Sequence, residues 1–295
     1  MIEPPVSRDE ILQAFGKAFS RPENLPQERT KPRASALASC ARAQSYDMAM
    51  TPTDPIGAAG SLLSYDADLT SEQGRAFEGL MERTLKSIGV EVVSAQTELP
   101  EDYPVSGHPD GELDLSNKQS WSNGIQRVDP SPKWGVEFKH LGRFGYKKAL
   151  TRGLRAGHPH YILQGRLYGD ALGWDAVLYI VSSQDASSIR TDASASLRYK
   201  TPSARWAELV DWHPKIHIET LEIDEVRNGL LPVAKARARW LSDWKASSGE
   251  PSMVAREYSP ENAQFPCTYC PYLTTCLADG NGGQRAPELP FRMDD

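Results

Sequence analysis

The sequence predicts an α/β fold: one mixed central sheet flanked by helices, with a helical, cysteine-bearing cap built from both ends of the chain. Three observations carry this. Alternating or short apolar stretches at 90–99, 107–115, 134–141, 175–182 and 213–223 read as strands, because successive side chains on a strand point to opposite faces. Windows with helical spacing lie between and around them, most clearly at 71–88 and 161–172. The four cysteines are divided between the two ends, Cys40 early and Cys267, Cys270 and Cys276 late.

Taken in order, residues 7–19 form a short helix opened by a capping box, Ser7 and Glu10. The Pro-rich polar stretch 21–32 is a linker, so 1–32 stands apart from a domain over 33–280 and a flexible tail over 281–295. Ser35 caps a second helix that carries Cys40, Arg42 and Tyr46. Residues 51–69, rich in Gly, Pro, Ser and Asp, are expected to be irregular. The helix over 71–88 aligns Phe77, Leu80, Met81, Leu85 and Ile88 on an apolar face and ends at Gly89. Residues 118–132, with Asn-Gly and two prolines, form a loop between strands. A helical region follows the strand at 134–141, and a basic helix over 225–244 has a break or restart at Pro232.

Composition is that of a soluble globular chain, with 39% hydrophobic and 24% charged residues. No apolar run approaches the roughly 18 residues of a membrane helix, and the start lacks the basic and apolar regions of a signal peptide. A cytoplasmic protein is expected (host cytoplasm if phage-encoded), where clustered cysteines are metal ligands more often than disulfides. The net charge of −6 argues weakly against nucleic acid. Its distribution argues the other way: between Lys133 and Arg166 lie Lys139, Arg143, Lys147, Lys148, Arg152 and Arg155, and Glu137 is the single acid, a local charge of +7. Such a stripe can follow a phosphate backbone, and Arg143, Lys147, Lys148, Arg152 and Arg166 are its candidate DNA contacts.

Chemistry concentrates beside that stripe. Gly107-His108-Pro109-Asp110 sets a carboxylate at one strand, and Glu137-Phe138-Lys139 sets a carboxylate and an amine on the same face of a later one. If the strands are neighbours, Asp110, Glu137 and Lys139 converge. Two carboxylates and a backbone carbonyl make a hard oxygen site for Mg²⁺ or Mn²⁺, and a lysine there can orient water and stabilise phosphoryl charge. Gln164 and Tyr168 share a helix face and can reach the same place. Glu78, in the middle of the earlier helix, is a candidate third carboxylate.

The ordered set Glu78, Asp110, Glu137-x-Lys139, Gln164-x-x-x-Tyr168 resembles the RecB-type branch of the PD-(D/E)XK nucleases. The segment Ser35-x-Leu37-x-x-Cys40-x5-Tyr46, with the closing Cys267-x-x-Cys270-x5-Cys276, resembles iron–sulfur members of that branch, including CRISPR-associated RecB-like exonucleases, the AddB nuclease domain and phage exonucleases. The resemblance implies a restriction-endonuclease-like core. Asp110, Glu137 and the Phe138 carbonyl would bind the metal, Lys139 would assist the attacking water, and Gln164 and Tyr168 would organise site and DNA. Glu78 stands where many relatives have histidine. Four thiolates can hold a [4Fe–4S] cluster or Zn²⁺; the isolated early ligand, with the resemblance, favours iron–sulfur. The expected activity is hydrolysis of DNA from single-stranded or frayed ends, with partners in recombination, repair, phage DNA processing or CRISPR adaptation. The alternatives are a non-catalytic DNA-binding or scaffolding subunit of the same fold and a zinc-stabilised endonuclease.

Overall fold

The structure, a computed structural model, describes residues 29–49, 61–117, 119–120, 126–127, 132–183, 216–222, 229–247, 249–258, 267, 270 and 272–291. The helix expected over 7–19 lies outside them. A 3₁₀ turn, Ala34–Ala36, leads into α1 (Ala41–Met48), then α2 (Ser61–Ser87), β1 (Glu91–Val93) and β2 (Gly111–Asp114). A small antiparallel pair, β3 (Gln119–Ser120) and β4 (Gln126–Arg127), comes next. β5 (Trp134–Leu141), α3 (Arg143–Gly157), α4 (Pro159–Leu172), β6 (Ala176–Ser183) and β7 (Ile216–Glu222) follow, and α5 (Leu230–Ser247) and α6 (Leu273–Ala278) close the series.

Five strands form one mixed sheet in the order β1-β2-β5-β6-β7. β5 and β6 run parallel and the other pairs antiparallel. The parallel pair needs a crossover, and α3 and α4 supply it. β6, Ala-Val-Leu-Tyr-Ile-Val-Ser-Ser, is apolar on both faces, as a strand covered on both sides must be. On one face α2 packs Met81 and Leu85 against Val136, Phe138 and Ile180. On the other, Tyr146 of α3, Leu163 and Leu167 of α4 and Leu241 of α5 belong to one buried cluster with Val177 and Tyr179. α4 can lie close to β6 because residue 165 is glycine: a Cβ there would sit 2.0 Å from the Tyr179 hydroxyl.

Several expectations need correction. α2 begins ten residues before Ser71, inside the stretch read as irregular. Residues 61–70 contain neither Gly nor Pro, and a formed helix propagates through such a stretch readily. Leu80 and Ile88, assigned to its apolar face, are 49% and 53% exposed; Met81, Leu85 and part of Phe77 make the contact. β1 stops at Val93 because Ser94 and Gln96 take positive φ. The 118–132 loop contains the β3–β4 pair. Pro232 lies in the first turn of α5, where its missing N–H costs nothing, so it opens the helix rather than breaking it.

The tail past Cys276, expected to be loose, packs back on the early segment. Arg42 is fully buried. It donates to the carbonyls of Val254 (2.5 Å), Ser252 (2.9 Å), Gly280 (2.5 Å) and Gly282 (2.7 Å). Arg237, 2% exposed, donates to Leu37 O (3.1 Å), Ser39 O (2.8 Å), Pro287 O (3.0 Å) and both oxygens of Glu257. Glu257 in turn accepts the Ala41 N–H (2.7 Å), at the start of α1. The Tyr46 hydroxyl donates to Asp279 (2.6 Å). Ala286 is buried in the main core.

Candidate active site

β2 ends its pairing where β5 continues: Gly111 is opposite Val136, and the strand beyond Val136 has no β2 partner. Asp110, one residue before β2, fills that gap by accepting the Phe138 N–H at 2.7 Å. A residue's N–H and C=O leave a strand on the same side, so the Phe138 carbonyl also faces Asp110. Alternation then sends the Phe138 ring toward α2, where it meets Phe77 edge-on, and Glu137 and Lys139 toward α4.

Glu137 is fully buried. Its Oε2 accepts from Lys139 Nζ at 2.5 Å, and its Oε1 is buried with no hydrogen-bond partner. Burial pushes this carboxyl up to about 7, with the charge of Asp110 adding to the effect and Lys139 opposing it. Asp110 is also raised by burial, against the pull of Lys139 and the Phe138 N–H. Burial alone would lower Lys139, but Glu137 and Asp110 outweigh it and hold the ammonium charged. Glu78 is raised by burial and then by Asp110, with Lys139 opposing, so α2 brings this carboxylate within electrostatic reach of the same place.

Gln164 Nε2 donates to the Tyr168 hydroxyl at 3.3 Å. Burial and then Glu137 push Tyr168 up to about 12. A Cβ at Gly107 would sit 2.7 Å from that hydroxyl, so only glycine lets the 107–110 segment pass beneath Tyr168 and deliver Asp110. His108 is half-exposed beside Glu98, at 3.7 Å, and stays out of the group. Thus Asp110, Glu137, Lys139, Gln164 and Tyr168 share one locale with Glu78 at its margin. Among the described residues, no three His, Cys, Asp or Glu side chains are drawn together closely enough to hold an ion by themselves.

Three neighbours escaped the sequence reading. Lys139 Nζ stands 5.4 Å from the centre of the Tyr161 ring. The His160 ring lies tilted against Tyr161 with centroids 4.1 Å apart, and the His158 ring lies at 5.4 Å. The available signal was spacing: Tyr161 precedes Gln164 by three residues and therefore shares its helix face.

The basic residues divide. Arg143, Lys147 and Arg152 are exposed on α3 and Lys148 is half-buried there. Arg166, placed with them as a DNA contact, is only partly exposed on α4, and its charge acts on the buried Tyr179 hydroxyl. The helical period turns it toward the core.

All four cysteines are free thiols. Burial raises Cys40, and raises Cys270 to about 11, where neighbouring Cys40, Cys276 and Cys267 add to the effect. The early and late thiols are therefore neighbours. A cavity of about 240 Å³ is lined by Arg237, Arg256, Glu257 and Phe291, and neither Asp110 nor Glu137 borders it. Arg237 is already committed to Glu257 and three carbonyls.

No protein-family model and no curated protein matches the chain. A solved structure described as the crystal structure of SSO0001 resembles it at 12% identity and a TM-score of 0.45, over 92% of this chain and 98% of the other. At that score the likeness carries no argument about fold or activity. No helix among the described residues is long and apolar enough to cross a membrane.

Proposed function

We propose that the chain is a metal-dependent deoxyribonuclease of the RecB-like PD-(D/E)XK type, acting as an exonuclease on single-stranded or frayed DNA ends. The observation that carries this reading is the convergence of Asp110, Glu137 and Lys139, with Glu137 Oε1 buried and unpartnered. A buried carboxylate oxygen without a donor is costly, and a hard divalent cation offers the compensation that no protein group supplies. Asp110, Glu137 and the Phe138 carbonyl would hold Mg²⁺ or Mn²⁺, and Glu78, within electrostatic reach of Asp110, is the further candidate ligand. When bound, the metal would supply charge stabilisation at the phosphoryl group and a more acidic water.

The chain's own residues have separate tasks. Lys139, held charged by two carboxylates, orients a water by donating to it and stabilises developing phosphoryl charge. Tyr161 supports the ammonium from its π face. Gln164 and Tyr168 keep the Gly107–Asp110 segment in place. Cys40, Cys267, Cys270 and Cys276 would hold a [4Fe–4S] cluster, or Zn²⁺ as the second reading, which joins α1 to the late segment. A setting in recombination, repair, phage DNA processing or CRISPR adaptation fits this activity, as do protein partners there.

The test is an end-labelled DNA assay with Mg²⁺ or Mn²⁺ on anaerobically purified protein, with iron, sulfide and zinc measured on the same sample. Lys139→Ala should abolish cleavage and leave folding and metal content intact. Full activity in that variant removes the mechanism. An inactive wild type that still binds DNA leaves the scaffolding alternative.

A further inference from the structure

We propose that the outer face of α3 is a track for single-stranded DNA, in which Phe144 stacks on an unpaired base and Lys147 and Lys148 hold the flanking phosphates. Phe144 is 86% exposed, the most exposed large apolar side chain among the described residues. A lone exposed apolar residue carries no meaning by itself. Three further observations give this one content.

Helical spacing puts Lys147 and Lys148 three and four residues on, beside the ring, with Arg143 next to it in sequence. The opposite face of the helix is anchored, since Tyr146 and Ala149 are buried in the main core, so the outward direction of Phe144 is fixed. The face is also continuous with the proposed active site. The charge of Lys148 acts on both His158 and His160, and that of Lys139 acts on His160 as well. The His160 ring lies tilted against Tyr161, whose ring faces Lys139. Cationic and aromatic groups therefore follow one another from Lys139 to Phe144.

Aromatic faces alternating with cations match a strand whose bases are free and whose phosphates are regularly spaced. A duplex keeps its base faces in the stack and would leave Phe144 in water. An apolar protein surface would have to bury Arg143 and Lys147 without partners, at a cost. The inference takes its direction, toward the carboxylates, from the nuclease reading, and its test is arranged to fail separately.

Binding is measured in EDTA, where no metal-dependent cleavage occurs, with three dye-labelled probes: oligothymidylate, an abasic strand of equal length, and a blunt duplex. Phe144→Ala should weaken oligothymidylate binding roughly tenfold, as expected for one stacked base, and leave the other two probes unchanged. Phe144→Trp should restore it. Lys147→Ala should weaken all three and lower the salt dependence by about one phosphate contact. Intact oligothymidylate binding in Phe144→Ala, or an equal loss on the abasic strand, overturns the proposal. So does a wild-type protein that binds none of the probes. Unchanged circular dichroism of the variant excludes misfolding as the cause. Base-dependent binding without cleavage in Mg²⁺ or Mn²⁺ ends the nuclease reading alone; cleavage indifferent to Phe144→Ala ends the stacking alone.

Discussion

The junction of the early and late segments and the edge of β5 both bury charge, and they complete it differently. At the junction, Arg42 and Arg237 are among the largest fully buried side chains, and their guanidinium donors end on backbone carbonyls or Glu257. Where β5 runs on past its β2 partner, Glu137 is as deeply buried, yet one of its oxygens has no donor. The first arrangement is finished by the protein and joins segments some two hundred residues apart in the chain. The second is incomplete and asks for something from outside. A buried charge is thus informative about function through what its hydrogen bonds leave over, not through its burial alone.

Two substitutions should therefore fail in opposite ways. Arg237→Met removes the guanidinium donors from Glu257, which keeps the Ala41 N–H, and from the carbonyls of Leu37, Ser39 and Pro287, and should lower stability by about 3–5 kcal/mol. Glu137→Gln should alter the stability of the metal-free protein far less, since Asp110 still faces Lys139. It should instead lower cleavage at least about a hundredfold and abolish the rise in unfolding temperature that Mg²⁺ or Mn²⁺ gives the parent. Thermal and urea unfolding of each variant with and without Mn²⁺ read the stability effects, and the end-labelled DNA assay reads cleavage. If Glu137→Gln proves the more destabilising of the two in the absence of metal, the contrast between the regions is lost.

The same contrast governs what could be read without coordinates. β5 was predicted at its observed bounds because Trp134, Val136 and Phe138 alternate with Gly135, Glu137 and Lys139, and Gly142 follows the run. The meeting of Glu137 with Lys139 followed from that period. Their meeting with Asp110 required β2 to lie beside β5, which pattern alone does not fix. The role of Arg42 and Arg237 was not visible, because an arginine in a helix reads as surface until the carbonyls of a distant segment arrive. The early end of α2 was missed by giving local composition more weight than propagation. Tyr161 and His160 were passed over because aromatic residues on an amphipathic helix are most often core.

Gly165→Ala probes how far the open site depends on the closeness of α4 to the sheet. The added methyl would meet the Tyr179 hydroxyl at 2.0 Å, and that hydroxyl donates to Tyr161 O at 3.0 Å. Relief requires α4 to rise or Tyr179 to leave its bond, at about 1–3 kcal/mol. Gln164 and Tyr168 would shift with the helix. Cleavage should then fall more than the stability loss accounts for, whereas Arg237→Met should lose activity only as far as it loses folded protein. Activity measured per folded molecule separates the two, and parallel losses would mean the site is indifferent to the height of the helix.

The smallest effect concerns His160. Burial first, then the charges of His158, Lys139 and Lys148, hold its imidazole down to about 4. Its ordinary value is about 6.5, so between those limits the unfolded chain binds more protons than the folded one. The contribution of His160 to stability is therefore complete above the unfolded value and lost as pH falls toward the folded one. His160→Gln removes that loss, so the acid limb of stability should become shallower than in the parent. His158, lowered chiefly by burial, keeps part of the slope. The raised carboxyls of Glu137, Asp110 and Glu78 act in the opposite sense. Only the difference between variant and parent, from urea midpoints at several pH values between about 4 and 7, isolates the imidazole. A difference that is flat across that range would mean His160 titrates as freely folded as unfolded, and that the cationic, aromatic surroundings of Lys139 are looser than the contact of Tyr161 with His160 implies.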